Sequence, residues 1–333
     1  MKHFPKVSII IPVIRINDYV HESMGHILNL DYPSFEVLIF PDEKDSVNSW
    51  PKTKIIASGK VGPAEKRDLA LKYATGDILA FLDDDAYPEK DWLKKMVPLF
   101  RNGKVAGVGG PAITPSHDGT LQKVSGAIFE SFIGGNFTRN RYLPIGKLSE
   151  TLDWPTVNLL VWKDSFKEVG GFNCAYWPGE DTKLCLDFLN AGYKLLYNPK
   201  GIVYHHRRSD LFKHFKQIGN YALHRGHFAK IYPETSRKFG YFVPTLFDTY
   251  IAVLLSSCLA VWLGRIQLNS LTEYSLFIPI IIYTIGLIID AVVISLRWKN
   301  PLVGLITIPM IFLTHVWYGI RFVQGLIVKK LDR

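Results

Sequence analysis

The sequence predicts an α/β protein: a mostly parallel sheet with helices on both faces, followed by a C-terminal transmembrane helical segment. Three observations predict it. Strand-like and helix-like segments alternate through the first half of the 333 residues. Acidic residues gather directly after two of those strands. Apolar runs are short and broken by charge before about Gly240, and long after it.

Val7–Pro12 is a mostly continuous apolar run rich in Ile, the pattern of a strand buried on both faces. Asp18–Leu30 has helical character. Phe35–Phe40 is a second strand and Lys54–Ala57 a short third. Pro63–Ala74 is a helix with Pro at its start and Gly76 just beyond its end. Ile78–Leu82 is another buried strand, and Asp91–Phe100 another helix. Such alternation favours parallel strands joined by helical crossovers. Ligands of these sheets bind beyond the carboxyl ends of the strands. Phe35–Phe40 runs into Pro41-Asp42-Glu43, and Ile78–Leu82 into Asp83-Asp84-Asp85.

The net charge is +9. No zinc-finger spacing or Arg-rich tail points to nucleic acid. Basic residues instead crowd beside the apolar segments, at Arg207, Arg208, Lys213, Lys216, Arg237 and Lys238, which suits an anionic cytoplasmic leaflet. The three cysteines, Cys174, Cys185 and Cys258, form neither a disulfide framework nor a metal spacing, so a reducing compartment is expected. No signal peptide is visible: Val7–Ile14 is one strand long and broken by Pro12.

Phe242–Leu263 and Tyr274–Leu296 are each long enough to cross ~30 Å of hydrocarbon. Leu302–Ile320 is a weaker third span, with His315 inside it and Arg321 at its end. Asp248 and Asp290 lie in the first two; carboxylates there are costly and face protein or water. The basic loop Arg297–Asn300 is expected on the cytoplasmic side, together with the α/β half. Three full crossings would then export Lys329, Lys330 and Arg333, so two or three helices remain open, one of them re-entrant or interfacial. Leu211–Tyr232 has helical spacing at Leu211, Phe215, Ile218 and Ala222, with Lys213, Lys216 and Arg225 off that row. It is either an amphipathic helix on the membrane surface or a helix packed on the α/β half. The expected division is an α/β domain over 1–206, in two parts, 1–112 and 113–206. A juxtamembrane segment follows over 207–240, and a transmembrane region over 241–333.

Three adjacent carboxylates at Asp83-Asp84-Asp85 repel one another and need solvation or a compensating cation. A hard divalent ion, Mg²⁺ or Mn²⁺, suits carboxylate oxygens and keeps positions free for phosphates. The bland rival is a solvated acidic turn.

The surroundings of the triplet favour the ion. Val7-Ser8-Ile9-Ile10-Ile11-Pro12-Val13 with Tyr32-Pro33-Ser34-Phe35-Glu36-Val37 resembles the opening of family 2 glycosyltransferases of the GT-A fold. Gly62-Pro63-Ala64-Glu65-Lys66-Arg67-Asp68 with Ala74-Thr75-Gly76-Asp77 resembles their next block. Phe81-Leu82-Asp83-Asp84-Asp85-Ala86-Tyr87-Pro88 resembles their DxD motif. Gly170-Gly171-Phe172, Gly179-Glu180-Asp181 and Ala191-Gly192-Tyr193 resemble their acceptor-side block. The likeness runs from about Val7 to His206 with the blocks in family order.

The resemblance implies a GT-A, Rossmann-like catalytic domain over 1–206 that moves a sugar from a nucleotide-diphosphate sugar to an acceptor, with 1–112 binding the nucleotide and 113–206 forming the acceptor side. It implies that Pro12 and Val13 lie beside the base and that Asp42 accepts a hydrogen bond from it. Arg67 and Asp84 would belong to the donor site, and Asp83 would lie near ribose and metal. Asp85 would be the direct metal ligand, with His205 as a further one. Asp181 would be the general base, with Glu180 beside it. Pro41 stands where the family often has Asp, and Asp68 where it commonly has Asn. Gln217-Ile218-Gly219-Asn220-Tyr221 falls where processive members carry Gln-x-x-Arg-Trp, and lacks the Arg-Trp, which favours single-sugar transfer.

Each residue has a structural rival. Asp42 would cap a turn, Arg67 would be a surface helix residue, and Asp181 would be favoured by a helix dipole. His205 or its neighbour His206 would be structural, and Trp154, Tyr176 and Trp177 would be core rather than a sugar platform.

A carboxylate base attacking opposite the leaving group gives inversion. The expected partners are the nucleotide-sugar donor, a lipid-linked or membrane-proximal glycan acceptor and membrane lipids, in a multi-pass membrane protein. A nucleotidyltransferase would need a Gly-rich, basic N-terminal loop, which Ile11–Asn17 lacks. A non-catalytic membrane scaffold with a sugar-binding head would not need Asp83, Asp85 and Asp181 intact.

Overall fold

A computed structural model describes residues 5–101, 103–174 and 176–331. The chain divides into two compact units. One comprises the residues up to Pro115 together with Asn140–His206. The other comprises Ser116–Arg139 and the chain from Arg207 onward. Residues 116–139, expected with the acceptor side, thus pack in the helical unit.

The first unit holds β1 (Val7–Pro12), β2 (Phe35–Phe40), β3 (Thr53–Ile55), β4 (Ile78–Leu82), β5 (Ala86–Pro88), β6 (Val105–Gly109), β7 (Ala112–Ile113), β8 (Ser149–Thr151), β9 (Asn158–Trp162), β10 (Lys194–Tyr197) and β11 (Val203–His205). Eight form one sheet in the order β3-β2-β1-β4-β9-β6-β10-β8. The pairs β1–β2, β1–β4, β2–β3 and β6–β10 are parallel, so the mostly parallel expectation holds. The antiparallel strand is β9, inserted between β4 and β6, with β8 antiparallel at the edge.

Alternation along β1 explains the two layers. Val7, Ile9 and Ile11 enter a core with Val20, Met24 and Ile27 of the helix Asp18–Ile27. Ile10 points to the other face, into a core with Ala64, Ala70, Leu184 and Phe188. Helices therefore cover both faces, as the continuous apolar strands require.

Three expected elements differ in detail. β3 starts one residue early because Thr53 pairs with Val37. Pro63–Ala74 is two helices, Pro63–Asp68 and Ala70–Tyr73, joined at Leu69. Asp91–Phe100 is the helix Trp92–Met96 followed by a 3-10 turn over Val97–Arg101. Pro98 has no N–H to continue the α pattern.

In the second unit, three helices are long and apolar enough to cross a membrane: Phe239–Trp262, Ser270–Trp298 and Pro301–Ile327. The last is continuous over 27 residues, and the polar His315 within it meets the Tyr283 hydroxyl at 3.0 Å. Asp290 is buried and accepts the backbone N–H of Phe132 at 3.0 Å and of Ile133 at 2.7 Å. Those bonds supply the polar partners that hydrocarbon lacks.

Leu211–Ile231 is helical, begun by the Asp210 side chain accepting from Phe212 N and Lys213 N. Its Ala222 and Ala229 share a buried cluster with Phe322 of the third apolar helix. The helix Thr120–Glu130 supplies Val124, Ala127 and Ile128 to a cluster with Leu287, Ile294, Val303, Met310 and Ile311.

Candidate active site

The acidic triplet leaves β4 and does not act as a block. Asp84 turns toward Asn17, whose Nδ2 donates to its Oδ2 at 3.0 Å. Burial, and then its neighbour Asp85, pushes the Asp84 carboxyl up to about 6. Asn17 also accepts from Val20 N at 3.0 Å, capping the helix Asp18–Ile27.

Asp83 and Asp85 face His205. One ligand atom from each of the three lies within 4.8 Å of the others. The His205 Nε2 is 3.0 Å from Asp85 Oδ1. Strand pairing brings them together: β11 runs antiparallel to β5, with His205 opposite Ala86. His206 points elsewhere, its Nε2 lying 2.9 Å from Glu22 Oε2. Two carboxylates and an imidazole are a donor set that fits a divalent cation such as Mn²⁺.

Arg67 is buried, contrary to a surface helix residue. Its Nη2 donates to Asp83 Oδ1 at 2.7 Å and its Nη1 to Glu180 Oε1 at 3.0 Å. Burial disfavours its charge, but Asp83 and Glu180 outweigh that and raise its pKa. Glu180 opens the helix Glu180–Asn190, preceded by Gly179 in the left-handed region at φ 119°. The glycine makes that entry possible without steric cost. Burial, then the adjacent Asp181, drives the Glu180 carboxyl well above the ordinary carboxylate range, against the pull of Arg67. Asp181 is half-buried, and its Oδ1 accepts from Thr182 N at 2.7 Å.

Just beyond β1, Val13 meets the buried Lys66, which sequence reasoning missed. Lys66 Nζ donates to the Val13 carbonyl and to the Asp42 carboxylate. Asp42 is tied at its backbone too, its N–H donating to Ile14 O at 3.0 Å. No local pattern separates Lys66 from Arg67; only the fold shows that Ala64, Lys66 and Arg67 are the buried residues of the helix Pro63–Asp68. Asn17 was missed because a capping Asn looks purely local.

Among the aromatic candidates, Trp154 is core. It is buried, its Nε1 donates to Gly110 O at 2.9 Å, and it stacks on Tyr197 with centroids 4.8 Å apart. Trp177 is 62% exposed, close in sequence to Glu180 and Asp181, and Tyr176 is half-buried.

The mostly parallel sheet, with Asp42 held by Lys66 beyond β2 and Asp83 joined by Arg67 to Glu180 beyond β4, has the GT-A glycosyltransferase fold. Residues 8–154 match the model of glycosyl transferase family 2. That matched stretch holds the opening, middle and acidic-triplet motifs that resemble the family.

The chain is 26% identical over 340 residues to a dolichyl N-acetyl-α-D-glucosaminyl phosphate 3-β-D-2,3-diacetamido-2,3-dideoxy-β-D-glucuronosyltransferase of Methanococcus voltae, covering 96% of this chain and 97% of that protein. It is 31% identical over 150 residues to the pre-mycofactocin glycosyltransferase of Mycobacterium tuberculosis, covering 45% of this chain but 31% of that one. The mannosyltransferase PcManGT from Pyrobaculum calidifontis, solved with GDP-Man and Mn²⁺, shares the fold with a TM-score of 0.63 at 17% identity, over 99% of this chain and 89% of that one.

Proposed function

We propose that this glycosyltransferase moves one sugar, with inversion, from a nucleotide-diphosphate sugar to a lipid-linked glycan acceptor. The observation that carries the reading is the convergence of Asp83, Asp85 and His205, with Arg67 linking Asp83 to the helix that begins Glu180-Asp181. The lipid-linked acceptor is supported by the near-full-length likeness to the dolichyl-phosphate glycan transferase and by three helices suited to a bilayer. Membrane integration, with the catalytic domain on the cytoplasmic side, is part of the proposal and is supported by the three apolar helices and the basic loop Arg297–Asn300.

Each residue then has a task. Pro12 and Val13 flank the base. Asp42, held by Lys66, accepts its N–H. Asp83, Asp85 and His205 would hold the divalent cation, Mn²⁺ or Mg²⁺; Asp84 props this loop through Asn17. When bound, such a cation offsets the negative charge developing on the departing diphosphate. Arg67 keeps Asp83 and Glu180 in register. Asp181, the less buried of the helix-opening pair, removes the proton of the attacking hydroxyl. Glu180, engaged by Arg67, positions that helix rather than taking the proton.

The experiment is Asp181→Asn. Transfer is expected to fall by about 10³-fold or more while the donor dissociation constant stays within about threefold. Loss of donor binding together with activity would count against the base role.

A further inference from the structure

A groove of about 370 Å³ opens in the helical unit between Leu211–Ile231 and Pro301–Ile327. That volume is in the range of small-molecule sites. Its charge is one-sided: Lys216 and Arg321 line it, with Asn220 beside them, and no carboxylate does. Its walls are aromatic, from Phe215 and Trp317.

The helix Leu211–Ile231 fixes this arrangement through its own carbonyls. Trp317 Nε1 donates to Phe215 O at 2.9 Å, and Arg321 Nε to Gly219 O at 3.4 Å. Gly219 admits the indole, since a Cβ there would fall 2.5 Å from Trp317 Nε1. Arg321 lies in the final two turns of the third apolar helix, with Trp317 one turn earlier. The third apolar helix packs along Leu211–Ile231, which carries Lys213, Lys216 and Lys230; a tryptophan beside cations on such an interfacial pair belongs to the headgroup level of a bilayer. Phe212, at the rim, is 88% exposed and extends the apolar wall outward.

We infer that this groove, with room for one chain, is a binding site for a phosphate borne on a single long polyprenyl chain rather than on a two-chain glycerolipid. Lys216 and Arg321 take the phosphate by charge-assisted hydrogen bonds, and the aromatic wall takes the first part of the chain. Two bases without an acid favour an anionic occupant over a zwitterionic one. The role as acceptor-lipid clamp rests on the proposed lipid-linked acceptor.

The test uses the full chain in phosphatidylcholine nanodiscs with a photoactivatable polyprenyl monophosphate. Saturable labelling within 212–220 or 317–321 is expected. Unlabelled polyprenyl monophosphate should compete; phosphatidylglycerol at the same fraction and inorganic phosphate should not. Lys216→Glu, at an exposed position outside the nucleotide site, should weaken labelling about tenfold or more. It should also raise KM for a polyprenyl-phosphate-linked sugar acceptor while leaving nucleotide affinity unchanged. Arg321→Gln should act in the same direction. Equal competition by phosphatidylglycerol, or unchanged labelling in both variants, would overturn the site. Specific labelling without sugar transfer to any lipid-linked acceptor would uphold the site and sink the acceptor reading instead.

Discussion

Arg67 donates to Glu180 across 113 positions of sequence, at 3.0 Å, while its other terminal nitrogen holds Asp83. One guanidinium thereby ties the first half of the nucleotide-fold domain to the helix that opens on Glu180-Asp181.

Arg67→Ala leaves two carboxylates without their shared cation. The kcat/KM for transfer should fall by about 10²-fold or more, since removing one partner of a buried pair strands the others. Arg67→Lys should recover only a part, because an ammonium lacks the planar fork that reaches both carboxylates. Steady-state kinetics with released nucleotide as readout checks both. Full activity in the Lys variant would show that the fork is not required.

Metal dependence should follow the cluster of Asp83, Asp85 and His205. Exhaustive chelation or Asp85→Ala should remove activity. His205→Ala should raise the Mn²⁺ concentration for half-maximal rate by about tenfold or more, since even outer partners of metal sites cost about 10–100-fold. Titration of activity against Mn²⁺ reads this directly. Unchanged metal dependence in His205→Ala would remove that residue from the ligand set.

Asp68 accepts the N–H of Phe172 at 2.9 Å, and burial pushes its carboxyl up to about 6. Its folded value lies above the unfolded value of about 3.9. The folded state thus prefers the protonated form, and stability contributed by this group is lost as pH rises from about 4 through 6. Asp68→Asn keeps a carbonyl acceptor and cannot ionise. It should melt about 2–4 °C above the parent at pH 8, with the gap closing below pH 4. Asn is also what the family commonly carries here.

Glu36 behaves oppositely. Burial opposes its charge, but Thr75 N, Ser8 Oγ and Thr75 Oγ1 donate to it, holding its carboxyl down at about 2. Its folded value is below the unfolded one of about 4.3, so its contribution is complete above that pH and lost as pH falls toward 2. Glu36→Gln should lower the melting temperature at pH 7 by roughly 3–8 °C. The difference should shrink in acid. Thermal denaturation in detergent from pH 3 to 7 measures it.

The sheet was legible because buried parallel strands write themselves as apolar runs, as in Val7–Pro12. Asp83 and Asp85 were legible because they sit where such a strand stops. The pairing of His205 with Asp85 depends on β11 lying against β5, a contact between distant segments that no local pattern encodes. Lys66 was hidden beside Arg67 in a motif that suggested only one functional base. The segment 116–139 was obscured because its surroundings read as loop, although Val124, Ala127 and Ile128 have the spacing of a buried helical stripe. Trp154 shows the reverse error: an aromatic proposed equally for sugar stacking proves to be a core side chain.

The polypeptide enters the helical unit twice, first for Ser116–Arg139 and again from Arg207. Cutting the chain after His206 would therefore not free a water-soluble catalyst. Val124, Ala127 and Ile128 would lose Leu287, Val303 and Ile311 as neighbours, leaving a greasy stripe on the fragment that remains. Such a fragment would self-associate, so solubilising this enzyme by simple tail deletion will fail unless that stripe is redesigned as well.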